Sequence, residues 1–107
     1  MSETFEAEDD DLPPVPEGGF LEVLPVINRR GLHARASAKF VQTVERFQAQ
    51  VTVTRSGETV GGRSIMGLLT LGAAQGTTIA VTTAGTDARA CMDAIVALLA
   101  NRFGEDE

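Results

Sequence analysis

Alternating apolar and polar residues mark four strands in the chain. The predicted strands are residues 20–27, 51–54, 59–60 and 77–83. In the second and fourth of these, Val or Ile alternates with Thr or Ala, which is typical of a half-buried strand. Ser56-Gly57 between the second and third predicts a tight hairpin turn. Pro25 cannot donate a ladder hydrogen bond, so the first strand is expected at a sheet edge.

Three other segments carry apolar residues at the three- and four-residue spacing of a helix. The predicted helices start at Ala34, after Ser64 and after Thr86, and the first runs to about Phe47. Ser64 and Thr86 are suited to cap their helices, with Asp87 in the first turn of the last one. Glycines at 72 and 104 can end the second and third helices.

The order of elements is strand, helix, strand, strand, helix, strand, helix. Each helix has a single apolar stripe, and the strands alternate in polarity. This pattern predicts an α+β two-layer open-faced sandwich, in which the helices cover one face of the sheet and a Thr-rich face meets water.

Charge divides the chain into three parts. Residues 1–17 contain seven acidic residues, no Lys or Arg, and a Pro-rich end, which predicts a disordered acidic arm. Residues 18–104 hold nine basic and five acidic residues, a net charge of +4, and form the predicted domain. Residues 105–107 form an acidic C-terminal end. The overall charge of −6 therefore comes from the two ends.

Composition disfavours several classes of protein. The single cysteine, Cys91, fits a buried apolar role and a reducing cytoplasm. No apolar stretch is long enough for membrane insertion, and the acidic start does not resemble a signal peptide. The basic excess is too small and scattered to predict nucleic-acid binding, and the Thr-rich face lacks the aromatic side chains of an RNA-binding sheet. We expect a monomer.

The candidate chemistry centres on His33, the one histidine, which lies where a loop becomes a helix. A helix start offers unpaired backbone N–H groups and partial positive charge, and both favour phosphate. Arg35 adds a planar set of donors that matches phosphate oxygens, and Arg29 and Arg30 strengthen the positive field. A neutral imidazole nitrogen is a competent nucleophile for a phosphoryl group, so these residues suit a phosphoryl relay.

On spacing alone, a histidine at a helix start is more often a surface residue or a cap. A metal site is disfavoured because there is no second His and only one distant Cys. No serine in the chain has the surroundings of a catalytic nucleophile.

Two segments resemble one known family. Residues 31–38, Gly-Leu-His-Ala-Arg-Ala-Ser-Ala, resemble the phosphorylation site of the HPr family, the histidine phosphocarriers of the bacterial phosphoenolpyruvate-dependent phosphotransferase system. Residues 63–72 resemble that family's regulatory serine and the short helix that it caps. The resemblance covers roughly residues 19–103.

The resemblance implies a carrier rather than an enzyme, without a cofactor. His33 is expected to accept a phosphoryl group on Nδ1 from enzyme I, ultimately from phosphoenolpyruvate, and to pass it to IIA-type proteins. Arg35 is expected to stabilise the phosphoryl group. The implied fold is a four-stranded antiparallel sheet of order 1-4-2-3 with three helices on one face.

The resemblance also implies that Ser64 is phosphorylated by HPr kinase/phosphorylase, although helix capping alone explains a serine there. Met66 and Leu69 are either core residues or, with Arg30, part of a partner-binding surface. A different function remains open, in which the chain is a regulatory binding module read through phosphorylated Ser64 and His33 is idle.

One position departs from the family pattern. The family usually has proline directly after the active-site arginine, and this chain has Ala36. Alanine is a good helix former, so the helix start is expected to survive. Together with Asn28-Arg29-Arg30, this residue is more similar to the nitrogen-related, NPr-like branch than to the sugar-dedicated branch.

Overall fold

The computed structural model of the protein describes residues 12–107. Most of the predicted acidic arm lies outside the described residues. The elements are β1 (Phe20–Pro25), α1 (Ala34–Val44), β2 (Gln50–Arg55), β3 (Glu58–Gly61), α2 (Ile65–Thr70), β4 (Thr78–Ala84) and α3 (Ala88–Ala100), followed by a 3₁₀ turn, Arg102–Gly104. Among these described residues, no helix is long and apolar enough to cross a membrane.

The strands form one antiparallel sheet in the order β1-β4-β2-β3, and the three helices lie on one face of it. The predicted fold class and strand order are therefore confirmed. β1 is an edge strand, as Pro25 required, and Pro25 lies opposite Thr78. β4 is central because it pairs with both β1 and β2.

The core lies between the sheet and the helices. Alternate residues of the two central strands point into it, which is why their sequences alternate. Its fully buried members include Val53 and Val81 from the sheet, Phe40 from α1 and Ile95 from α3. Cys91 is also fully buried, as predicted, and burial raises the pKa of its thiol.

No helix from residues 12–107 covers the other face, and threonines line it. Thr52 and Thr82 share a hydrogen bond across the strands, as do Thr54 and Thr59. Thr54 and Thr82 expose only 4% and 5% of their surface. The centre of this face is thus less open to water than the alternating pattern suggested.

The predicted end of the first helix and the predicted cap of the last helix were wrong. α1 ends at Val44 rather than near Phe47, because the next residues form tighter turns in which Phe47 N–H donates to the Val44 carbonyl. The Arg63 guanidinium binds the Phe47 and Ala49 carbonyls and closes this helix end. Thr86 does not cap α3.

Asp87, not Thr86, occupies the N-cap position of α3. Its carboxylate makes no capping hydrogen bond and instead accepts one from the backbone N–H of Gln48, at 2.8 Å. The acidic side chain at this point therefore ties the loop after α1 to the start of α3. Local sequence alone favoured a cap because it contained no sign of this long-range contact.

Gly31 lies very close to the backbone of Ala73, just before the start of α1. Its φ is +67°, and a Cβ there would lie 2.5 Å from the Ala73 carbonyl oxygen. Gly72 has a similar φ of +63° with nothing within 4 Å. Each change to alanine should cost about 1–2 kcal/mol for the left-handed backbone, and Gly31→Ala should cost more because of the clash.

Urea unfolding of the Gly31→Ala and Gly72→Ala variants measures this difference. An equal loss of stability in both variants would show that the contact with Ala73 can relax without cost.

Candidate functional site

His33 is the N-cap of α1, with an extended backbone (φ −75°, ψ −177°). Its Nδ1 atom accepts a hydrogen bond from the backbone N–H of Arg35, at 3.3 Å. The preceding loop is held firmly, since Leu32 N–H donates to the Ala73 carbonyl and the Ser37 hydroxyl donates to the Leu32 carbonyl. The histidine therefore projects from a fixed backbone at the start of an 11-residue helix.

The other ring nitrogen meets an acidic residue that the sequence did not single out. His33 Nε2 lies 2.5 Å from Oε2 of Glu105, and the two side chains are only 18% and 17% exposed. Asn28 Nδ2 donates to the second carboxylate oxygen, Oε1, at 3.0 Å and to the Gly31 carbonyl at 2.8 Å. Residues 72 apart in sequence thus share one hydrogen-bonded arrangement.

The proton positions follow from these contacts. Nδ1 accepts from a backbone N–H and so carries a lone pair, which leaves the ring proton of a neutral imidazole on Nε2. Nε2–H then donates to the Glu105 carboxylate. Both contacts favour the tautomer in which Nδ1 is the nucleophilic atom.

A sharp turn brings Glu105 to the histidine. Arg102 and Phe103 both have φ of +54°, unusual for residues other than glycine, and Gly104 has φ of +80°. The buried Phe103 ring anchors this turn, and Lys39 Nζ donates to the Phe103 carbonyl at 2.7 Å. Gly104 was expected to end the last helix, but that helix ends at Ala100 and the glycine completes the turn.

Basic side chains from the loop before α1 and from α1 itself lie together. Arg29, Arg30, Arg35 and Lys39 line a pocket whose other wall is residues 104–107. The backbone N–H and guanidinium of Arg29 both bind Glu107, the guanidinium at 2.7 Å. The basic residues expected beside His33 are therefore brought together, and the acidic segment 105–107 lies against them.

The ionisation of Glu105 reflects these neighbours. Burial favours the neutral form and has the largest single effect on the pKa of Glu105. The hydrogen bonds from Asn28 and His33 and the charges of His33 and Arg30 together outweigh it. The net result is a pKa below the ordinary value of 4.5. Glu105 is therefore a carboxylate at neutral pH.

The second candidate site lies at the start of α2. Ser64 is exposed and caps this helix, since its hydroxyl oxygen accepts from the Gly67 backbone N–H at 2.9 Å. Met66 is 71% exposed and is therefore not a core residue, whereas Leu69 is partly buried and Leu68 is the buried residue of the helix. The partner-binding role of Met66, Leu69 and Arg30 stays a prediction.

Residues 12–107 contain no group of three His, Cys, Asp or Glu side chains that could hold a metal ion.

The fold and the site together define an open-faced α+β domain that presents one histidine at a helix start. A family model described as "PTS HPr component phosphorylation site" matches residues 22–101. The chain belongs to the HPr phosphocarrier family of the phosphotransferase system.

Individual relatives agree with this placement. The chain is 50% identical over 82 residues to the phosphocarrier protein HPr of Cupriavidus necator, covering 77% of this chain and 92% of that one. The crystal structure of HPr-C-His from Thermoanaerobacter tengcongensis matches with a TM-score of 0.79 and 35% identity, covering 82% of this chain and 99% of that one.

A much longer relative carries a similar domain. The chain is 33% identical over 93 residues to the multiphosphoryl transfer protein of Haemophilus influenzae, covering 84% of this chain and 19% of that protein.

The lowered pKa of Glu105 predicts a pH-dependent contribution to stability. A carboxyl group whose pKa is lower in the folded state stabilises the fold above its unfolded pKa, and this stabilisation is lost as the pH falls through the lowered value. Glu105→Ala should therefore lower the Tm at pH 7, and the difference from the unmodified protein should shrink towards pH 3.

Thermal unfolding by circular dichroism between pH 7 and pH 3 checks this. Asp93→Asn, which changes an exposed carboxylate on α3 paired with Arg89, is the control. A difference in Tm that stays constant across this range would contradict the pKa argument.

Proposed function

We propose that this chain accepts a phosphoryl group on Nδ1 of His33 from an enzyme I-type phosphotransferase, with phosphoenolpyruvate as the ultimate donor, and passes it to an IIA-type protein. The observation that carries the proposal is the Nδ1 lone pair, held at the start of α1 by the backbone N–H of Arg35. Membership in the HPr family supports the same role.

The transfer step follows from the geometry. The Nδ1 lone pair forms a bond to phosphorus while the bond from phosphorus to the donor atom breaks, and the donor atom keeps the electron pair. The Arg35 N–H, which binds Nδ1 before the transfer, is then free to donate to a phosphoryl oxygen. The Arg35 guanidinium and the partial positive charge of the helix start stabilise the transferred charge.

The chain acts in this proposal as a carrier, not as an enzyme. Phosphoryl transfer depends mainly on positioning and on stabilisation of charge, and the site supplies both. The donor and acceptor proteins provide the catalytic groups for each half of the relay. The name of the Haemophilus influenzae relative, a multiphosphoryl transfer protein, is consistent with a domain of this kind working within a relay.

Substitution of His33 tests the proposed carrier role. The full chain is incubated with enzyme I and radiolabelled phosphoenolpyruvate, and labelling of the chain is followed over time. The unmodified chain should be labelled and His33→Ala should not be, because Nδ1 is the only proposed acceptor. Labelling of folded His33→Ala at the unmodified rate would refute the proposal.

Arg35→Ala should be labelled roughly ten times more slowly, the effect expected for the loss of one charge-assisted contact. Arg46→Ala is the matched control, since it removes an arginine beyond the far end of the same helix. Circular dichroism checks that both variants are folded. Equal labelling rates for Arg35→Ala and Arg46→Ala would show that Arg35 does not stabilise the transferred phosphoryl group.

Regulation through Ser64 is the second part of the proposal. The hydroxyl is exposed, and a phosphate at a helix start gains from the local N–H groups. The added charge would lie beside exposed Ile65 and Met66, which we propose contact the partner proteins together with Leu69 and Arg30. Modification should therefore weaken partner binding without unfolding the domain.

Treatment of the chain with HPr kinase/phosphorylase and ATP tests the proposed phosphorylation of Ser64. Mass spectrometry should find one phosphate on Ser64 and none in Ser64→Ala, and Ser56, an exposed serine in the β2–β3 turn, is the internal control. The modified chain should accept phosphoryl groups from enzyme I more slowly. An unchanged rate would show that phosphorylation of Ser64 does not regulate the relay.

Assignment of the chain to the NPr-like branch stays a prediction.

A further inference from the structure

We infer that Glu105 is a positioning residue for phosphoryl transfer: it holds the Nε2–H of His33 so that Nδ1 faces the incoming phosphoryl group, and it stabilises the positive charge that the ring gains. This inference rests on the proposed carrier function. Glu105 lies outside the part of the chain that the family model matches, residues 22–101.

Both oxygens of the Glu105 carboxylate are engaged by fixed partners. Oε2 lies 2.5 Å from His33 Nε2, and Oε1 accepts from Asn28 Nδ2 at 3.0 Å. Asn28 is fully buried, and the same Nδ2 group also binds the Gly31 carbonyl. Its Oδ1 has no hydrogen-bond partner among the described residues, so the amide is oriented by the contacts of its nitrogen alone. Each oxygen of the carboxylate thus has its own hydrogen-bond partner.

The backbone leading to Glu105 is also held in place. Two consecutive non-glycine residues, Arg102 and Phe103, adopt left-handed conformations, which cost free energy unless surrounding contacts impose them. Those contacts are the buried Phe103 ring and the bond from Lys39 to the Phe103 carbonyl. The left-handed conformations of Arg102 and Phe103 are therefore imposed by specific contacts, and these contacts fix the start of the segment that carries Glu105.

The charge balance of the step explains what the carboxylate does. When neutral His33 attacks through Nδ1, the ring keeps the proton on Nε2 and becomes positively charged as the N–P bond forms and the donor bond breaks. A carboxylate already hydrogen-bonded to Nε2–H stabilises this charge without rearrangement. The arrangement is related to that of a catalytic triad, in which a carboxylate orients a histidine and stabilises its charged form.

Substitutions at Glu105 test the inference in the full chain. Glu105→Gln keeps an oxygen that can accept from Nε2–H but removes the charge, whereas Glu105→Ala removes both. Asp106→Asn removes a neighbouring charge, and no hydrogen bond joins the Asp106 side chain to another residue within 12–107. Asp93→Asn on α3 is the remote control.

The first measurement is nitrogen-15 NMR of the His33 ring. The Nε2-bound proton should give a resolved downfield signal in the unmodified chain and in Asp106→Asn. The signal should move upfield in Glu105→Gln and vanish through solvent exchange in Glu105→Ala. A signal that is identical in Glu105→Ala would overturn the inference. The proton on Nε2 would then be protected from exchange without the Glu105 carboxylate.

The second measurement is the rate of labelling by enzyme I and radiolabelled phosphoenolpyruvate. Glu105→Ala should be slower by roughly tenfold and Glu105→Gln should be intermediate, with both slower than Asp106→Asn, as expected for loss of a charge-assisted hydrogen bond. Asp93→Asn should match the unmodified chain.

The possible outcomes separate the two proposals. Absence of labelling in the unmodified chain would overturn the carrier function and this inference with it. Normal labelling of both the unmodified chain and Glu105→Ala would overturn this inference alone. Faster labelling of Glu105→Ala would also overturn it, because Glu105 would then be a competitor of the phosphoryl group.

Discussion

The contact between Gly31 and the backbone at Ala73 is the constraint on which the site depends. The Ala73 carbonyl accepts the Leu32 N–H, and Gly31 lets the two backbone segments approach closely with a left-handed φ. This contact sets where the loop after β1 ends and α1 begins. Because His33 is the N-cap of α1, its position and the direction of its Nδ1 atom follow from the same contact.

Much of the fold was predictable from local patterns. The two-residue alternation in β2 and β4 comes from a sheet covered by helices on one face, so periodicity indicated both the strands and the layer arrangement. Pro25 identified the edge strand for a chemical reason, its missing N–H group. The strand order itself came from the family resemblance, because no local pattern states which strands pair.

Long-range contacts explain why the end of α1, the cap of α3 and the role of Glu105 were not predicted correctly. Phe47 continued the helical pattern of α1, but Arg63 binds the carbonyls at that helix end and favours a tighter turn. Asp87 binds Gln48, so neither it nor Thr86 acts as a side-chain cap of α3. Glu105 likewise contacts His33 across most of the chain. These contacts join residues far apart in sequence, and periodicity and capping preferences describe only near neighbours.

The turn at residues 102–104 places one hydrogen-bond partner of His33 beyond α3 in the chain. On the ribosome, β1 and α1 emerge early, but the His33 ring cannot meet its carboxylate partner until residue 105 has also left the exit tunnel. The hydrogen bond between them therefore reports that synthesis has passed α3. Proteolytic trimming after Ala100 would separate the histidine from this partner while leaving every strand of the sheet intact.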